Sequence, residues 1–377
     1  MFKILKSNQL NTKLRNLDWL LIFIVLLIGI ISLLTIYSID TGQNNYFEKH
    51  TIRFLFSFIL LIAVALTSIK FWVGSAYLFY IFVLILLILV DYFGLSAQGA
   101  KRWLNLGVFN LQPSELMKVA VILALARYYQ FIKIDDTDRI TKLALPLALI
   151  IIPFIVVVKQ PDLGTALFIL AVSLAMLWLA GLNLRIFSFG AISVLILAPL
   201  SISLLKPYQK QRILTFFNPE NDPLGAGYHV IQSKIAIGSG GFFGKGFMKG
   251  SQSNLDFLPE KHTDFIFTVF AEQFGYIGCI LLILLFIFLI MRIDMISKNS
   301  RNTFSRLMCF GISFNFFVYV GINIGMVSGL LPIVGVPIPI MSYGGTAMIT
   351  TMFALGLVLS ANTVSYTHLT LPTIVRV

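Results

Sequence analysis

LDWLLIFIVLLIGIISLLTIYS, residues 17–38, carries a single charged side chain, Asp18. An α-helix rises 1.5 Å per residue, so this run reaches across the ~30 Å hydrocarbon core of a bilayer. It is too long for the apolar region of a signal peptide, and no small-residue cleavage site follows it. Working outward, similar apolar runs predict spans at 52–69, 72–93, 114–132, 143–158, 163–180, 186–205, 264–291, 304–327 and 341–362. Pro113-Ser114 is a helix-start signal for the fourth, and Lys159-Gln160-Pro161 turns the chain back after the fifth. The expected fold is therefore all-α and polytopic, with about ten transmembrane helices.

Composition agrees. The 377 residues are 58% hydrophobic and only 12% charged, against about 25% charged in soluble domains. That excludes a soluble enzyme domain, a disordered chain, collagen and a coiled coil. The net charge of +12 has a simpler source than nucleic acid, because cytoplasmic loops of membrane proteins collect Lys and Arg. With the N-terminus inside, the inner segments hold Lys3, Lys6, Lys13, Arg15, Lys70, Lys133, Lys142, Arg139, Arg185, Arg292, Lys298, Arg301 and Arg306. The short outer loops hold Lys49, Arg53, Lys101, Arg102 and Lys159. Both termini are expected in the cytoplasm. This leaves two notable outer segments, 94–113 and the long loop 206–263 between spans seven and eight; long loops are usually functional. Cys279 and Cys309 sit in apolar runs and predict no disulfide. Residues 1–363 read as one domain. After Asn362 the pattern stops, and VSYTHLTLPT (364–373) resembles a translated sequencing adapter, so 364–377 is expected to be a non-native tail, with no function for His368.

GSGGFFGKG, residues 238–246, fails the phosphate-loop template: Ser239 stands where glycine is needed and Gly246 where Ser or Thr is. Its glycines permit tight turns, while Lys245 and Lys249 offer charge to a phosphate head group. His50, His229 and His262 have no metal-ligand spacing, and no nucleophile elbow or Ser-His-Asp set is present. Ionisable residues at membrane depth are costly and point to function. Glu115 and Lys118, spaced i,i+3, share a face near the outer end of span four; they form either a helix-orienting ion pair or part of a site. Asp162 opens span six and complements its dipole. The densest cluster is Glu260, Lys261, His262, Thr263 and Asp264, where the long loop re-enters the membrane. Thr263 could cap span eight with Asp264 in its first turn, or Asp264 could face a lipid-linked substrate.

At these residues a family resemblance enters. GAKRWLNLG (99–107), QPSELMK (112–118), KQPDLGTAL (159–167), NPENDPLGAGYHVIQSKIAIGSGGFFGKG (218–246), FLPEKHTDFIF (257–267) and PIPIMSYGGT (337–346), in that order, resemble the SEDS proteins of shape, elongation, division and sporulation. The forms at 238–246 and 335–345 are closer to the elongation branch than to the division branch. The resemblance implies a peptidoglycan glycosyltransferase of the cytoplasmic (inner) membrane. It would polymerise lipid II on the outer face beside a class B penicillin-binding protein, the transpeptidase, and other membrane proteins of the elongation complex. The family's essential aspartate falls on Asp264, its carboxylate–lysine pair on Glu115 and Lys118, its loop tryptophan on Trp103 and its long-loop arginine on Arg212. Gln160, Pro161 and Asp162, and Ser342, Gly344 and Gly345, are its structural positions; Glu260, His262 and Lys245 support the substrate. Gln273 stands where relatives often have Glu, and His50 where Gln is common.

The expected mechanism has Asp264 as general base for the acceptor 4-hydroxyl. Lys118, Arg102 and Arg212, or a divalent cation such as Mg, stabilise the leaving pyrophosphate. Attack opposite the leaving group inverts the anomeric centre. A lipid II flippase and a non-catalytic scaffold for the transpeptidase are the alternatives. A flippase needs charges deep in the bundle, whereas a polymerase needs them at the outer mouth, where the acidic residues here cluster.

Overall fold

The structure, a computed structural model, describes residues 13–40, 42, 45–97, 100–105, 107, 110–133, 137, 139–188, 190, 192, 207–222, 225–255, 257–258 and 260–367. Long helices dominate: α1 Trp19–Tyr37, α2 Tyr46–Ala65, α3 Ile69–Phe93, α4 Pro113–Tyr129, α5 Ile140–Lys159 and α6 Leu163–Leu179. Then come three shorter ones, α7 Pro207–Phe217, α8 Ala226–Gly240 and α9 Ser251–Asn254. The long helices α10 Ile266–Asn299, α11 Thr303–Val327 and α12 Gly345–Thr367 follow.

Among the described residues, six of these are long and apolar enough to cross a membrane, namely α1, α3, α5, α10, α11 and α12, and α6 is a shorter apolar helix. The chain is therefore a multi-pass membrane protein. The first two turns of α2 carry Glu48, Lys49 and Arg53, and α4 carries Glu115, Lys118 and Arg127, so neither reads as a plain apolar span. The expected seventh span, 186–205, lies mostly outside the described residues.

Asp18 shows how one sequence feature sets both a helix and its packing. Its carboxylate caps α1 by accepting from Leu21 N at 3.0 Å. The other oxygen accepts from Arg292 Nε at 2.9 Å, which ties the start of α1 to the far part of α10. α4 sits in the middle of the bundle, with Met117, Ala120, Ile122, Leu123 and Leu125 fully buried, and packs against α3, α5, α6, α11 and α12. Large apolar side chains such as Phe23, Ile59, Leu78, Phe82 and Phe288 are exposed on the outer helices. Such a belt would aggregate in water but is solvated by lipid tails. Because lipid is as apolar as leucine, the bundle is held by close packing and buried hydrogen bonds rather than by the hydrophobic effect.

Three features depart from expectation. The described residues between α3 and α4 include a small antiparallel sheet, β1 Leu95–Ala97, β2 Ala100–Asn105 and β3 Asn110–Leu111, in the order β1-β2-β3, with Leu95 opposite Trp103 and Leu104 opposite Leu111. The polar stretch 206–263 is built largely of helices α7, α8 and α9 rather than irregular loop. And α12 does not stop at Asn362 but continues to Thr367; residues 368–377 lie outside the described residues.

α10 is broken at Gly275, whose φ of 66° and ψ of −165° leave the helical region. The glycine-rich segment fills the break: Tyr276 N donates to Gly241 O at 2.9 Å, and Lys245 N and Gly246 N donate to Glu272 O and Gln273 O, each at 3.0 Å. Backbone groups orphaned by the kink thereby regain partners, as they must at membrane depth.

Candidate active site

The turn before α10 is held by three other segments. The carbonyl of His262 accepts from Tyr343 N at 2.8 Å, that of Thr263 from Ser342 Oγ at 2.7 Å, and that of Asp264 from Asn323 Nδ2 at 2.9 Å. Lys261 is buried and donates to Ser253 O at 2.8 Å, anchoring the turn from below. Three consecutive captured carbonyls leave this turn little freedom. α10 begins at Ile266 and has no side-chain cap. The capping reading of Thr263 and Asp264 is thus corrected: the Thr263 hydroxyl instead donates to Glu260 Oε2 at 3.0 Å.

The Asp264 carboxylate opens into a cavity of about 500 Å³. Arg102 and Trp103 of β2, Glu115 at the start of α4, Arg212 of α7, His229 of α8, and Glu260, Tyr343 and Gly344 share its lining. Burial and the neighbouring Glu260 charge raise the Asp264 pKa to about 6, while Arg212 and Arg102 pull it down. Burial lowers the pKa of His229, against the opposing pull of Glu260 and Asp222. Arg102 is aimed by its own partners: Nη2 donates to Pro161 O at 2.9 Å, and Nε lies 3.7 Å from Asp162 Oδ2. Asp162 in turn caps α6, accepting from Thr165 N at 3.3 Å and Thr165 Oγ1 at 2.9 Å, and Gln160 donates to Leu87 O at 2.6 Å. A second cavity of about 230 Å³ adjoins the first through Arg102, Arg212, Ile333 and Val334, and is otherwise lined largely by apolar groups such as Leu163, Leu167, Ile213 and Pro332.

Glu115 reaches the cavity but Lys118 stays behind it. Lys118 Nζ donates to Glu115 Oε1 at 2.7 Å and to the Tyr319 hydroxyl, which donates to Glu115 Oε2. The ammonium also lies 4.6 Å from the Phe168 ring centroid. Ser342 accepts from Ile338 N at 2.9 Å, folding the 338–342 turn, while Gly345 starts α12 beside Arg53.

Two expected substrate-side residues lie elsewhere. Lys245 is ion-paired with Glu272 Oε1 at 2.8 Å, away from the Asp264 cavity. The reason is the fully buried Glu272 carboxylate, which also accepts from Ser251, Gln252 and Ser253 and needs a cation. Gln273 points the other way, donating to Ser38 Oγ at 2.8 Å. His262 stacks on Tyr46 with centroids 4.0 Å apart instead of lining the cavity. Glu272, Tyr319 and Asn323 escaped the sequence reading. Each is a polar group inside an apolar run, the same signal that marked Glu115. Among the described residues, no group of three or more His, Cys, Asp or Glu could hold a metal ion.

A carboxylate of raised pKa, two guanidinium groups and an adjoining apolar groove thus lie together in a multi-pass membrane protein. The family model of the FtsW, RodA and SpoVE cell cycle proteins matches residues 14–367, and the chain belongs to that family. Peptidoglycan glycosyltransferase MrdB of Escherichia coli (strain K12) is 43% identical over 349 residues, covering 92% of this chain and 94% of MrdB. A solved chain from a peptidoglycan synthase complex that coordinates polymerization and crosslinking has a TM-score of 0.80 at 32% identity, covering 93% of this chain and 98% of that one. The crystal structure of the rod shape determining protein RodA of Thermus thermophilus has a TM-score of 0.69 at 26% identity, covering 92% and 96%.

Proposed function

We propose that this chain is a peptidoglycan glycosyltransferase that polymerises lipid II during cell elongation. Its ten spans lie in the inner membrane, with both termini cytoplasmic and the Asp264 cavity on the outer face. It works beside a class B penicillin-binding protein within the elongation complex.

The observation that carries this reading is Asp264, a carboxylate of raised pKa facing a cavity with Arg102 and Arg212 on its wall. Asp264 takes the proton of the acceptor 4-hydroxyl as the bond to the anomeric carbon forms. Arg102 and Arg212 receive the charge that develops on the departing pyrophosphate. Trp103 and Tyr343 offer faces for sugar rings. The 230 Å³ groove, sharing both arginines, takes the first part of the prenyl chain. Glu260 on the same wall is a hard oxygen donor, and a divalent cation such as Mg would share it with phosphate oxygens and water, leaving Asp264 free to take the proton. Such an ion would neutralise phosphate charge. Lys118 acts through Glu115 rather than on the substrate.

The test is polymer formation from labelled lipid II by the purified chain with its transpeptidase. Polymer supports the proposal; transport of lipid II across vesicles without polymer would favour a flippase, and neither activity a scaffold.

A further inference from the structure

The geometry points to Asn323 as a positioning residue that, with Gly335, sets the Asp264 carboxylate in its reactive place. This rests on the reading of Asp264 as the base. Asn323 is fully buried in α11. Its side-chain amide donates to two backbone carbonyls from different segments, Asp264 O at 2.9 Å and Val336 O at 2.7 Å. Both partners are acceptors only, so the side chain must supply two N–H groups from one planar nitrogen. At this size only Asn does so.

The two carbonyls belong to adjacent walls of the cavity. Asp264 precedes α10, and Val336 closes the 333–337 segment, whose Ile333, Val334, Gly335 and Pro337 line the same space. Asn323 fixes the distance between these walls. Gly335 then brings its backbone against the carboxylate: its φ is +75°, and a Cβ there would lie 3.3 Å from Asp264 Oδ2. A side chain at 335 would be strained and would push the carboxylate aside. The Asp264 side chain itself makes no hydrogen bond to another described residue; the anchored backbone sets where it starts, and the Gly335 backbone and the charges of Arg102 and Arg212 bound where the carboxylate lies. A base misplaced by about 1 Å can lose about 10²-fold in rate.

The test uses the full chain reconstituted with its transpeptidase in liposomes, with labelled lipid II as substrate. kcat, KM and thermal unfolding are measured for Asn323→Leu, Asn323→Asp, Gly335→Ala and, in parallel, Asp264→Asn. Asn323→Leu removes both donors while keeping the branching at Cγ. Asn323→Asp keeps the shape but turns oxygens toward the carbonyls. Gly335→Ala perturbs the carboxylate from the other side while keeping both Asn323 donors, so it reads the same geometry should a 323 variant fail to fold. The expected result is a kcat loss approaching about 10²-fold in the folded variants with KM unchanged. A purely structural role would lower yield and melting temperature and leave kcat of the folded fraction intact; that result overturns the inference. If Asp264→Asn abolishes turnover while the 323 and 335 variants keep wild-type kcat, the base reading stands and this inference alone fails. If Asp264→Asn keeps wild-type kcat, both fall.

Discussion

Lys245 Nζ lies 2.8 Å from Oε1 of a Glu272 whose side chain is 0% exposed, while the lysine itself remains 27% exposed. The pair is unequal. Glu272 also receives the backbone N–H groups of Gln252 and Ser253 and the hydroxyls of Ser251 and Ser253. Removing the carboxylate orphans several buried donors, whereas removing the ammonium leaves a carboxylate that is still hydrogen-bonded. Glu272→Ala should therefore cost about 3–5 kcal/mol, as for a broken buried pair. Lys245→Ala should cost about 1.5–3 kcal/mol, the worth of a charged hydrogen bond. Thermal unfolding of the detergent-purified variants measures both, and equal losses would contradict this hierarchy.

Glu115, Lys118 and Tyr319 form a closed triad beneath the cavity. Glu115→Ala leaves a 3% exposed ammonium with no counter-charge beside it, only the Tyr319 phenol and the Phe168 face, a loss of about 3–5 kcal/mol. The double variant Glu115→Ala, Lys118→Ala should regain much of that stability without regaining polymerisation, because the cavity wall still lacks its carboxylate. Tyr319→Phe should cost about 1–3 kcal/mol, from an unsatisfied buried partner. Normal polymerisation by the double variant would make the triad purely structural.

The pH dependence has a definite sign. The Asp264 pKa is raised from 3.8 to about 6, so the base form fills in as pH rises, and kcat/KM should climb through about pH 6 to a plateau. Arg212→Ala removes a cation that lowers this pKa and should move the midpoint upward; Glu260→Gln should move it downward. Linkage runs against function. A carboxyl that binds its proton more tightly when folded loses stability as pH rises from 3.8 through 6. Asp264→Asn should thus melt higher than wild type at pH 7 and nearly equal to it near pH 4. A lower melting temperature at pH 7 would contradict the placement of Asp264.

Long apolar runs such as 17–38 and 304–327 announce their helices, and scarce charges such as Asp264 and Glu115 announce the candidate site, because each is costly where it lies. The β-sheet at 95–111 was not legible: its strands are short, and their pairing is set by the anchoring of 94 and 113 to α3 and α4. Helices α7 and α8 were hidden by polar and glycine-rich composition. Lys245 was misread because its partner Glu272 lies 27 residues away, a distance that only the kink at Gly275 closes. Asn323 looked like one more residue of a span, since nothing local reveals which carbonyls it serves.

The central claim is that Asp264 is the general base. The most direct test is polymer formation from labelled lipid II by the Asp264→Asn variant of the reconstituted complex, with protein yield and complex formation checked alongside. Asn keeps the size and leaves the backbone bond to Asn323 intact but cannot take a proton. A general base at Asp264 means a loss of about 10²–10⁴-fold in a variant that folds and assembles normally; polymerisation at the wild-type rate would rule that role out.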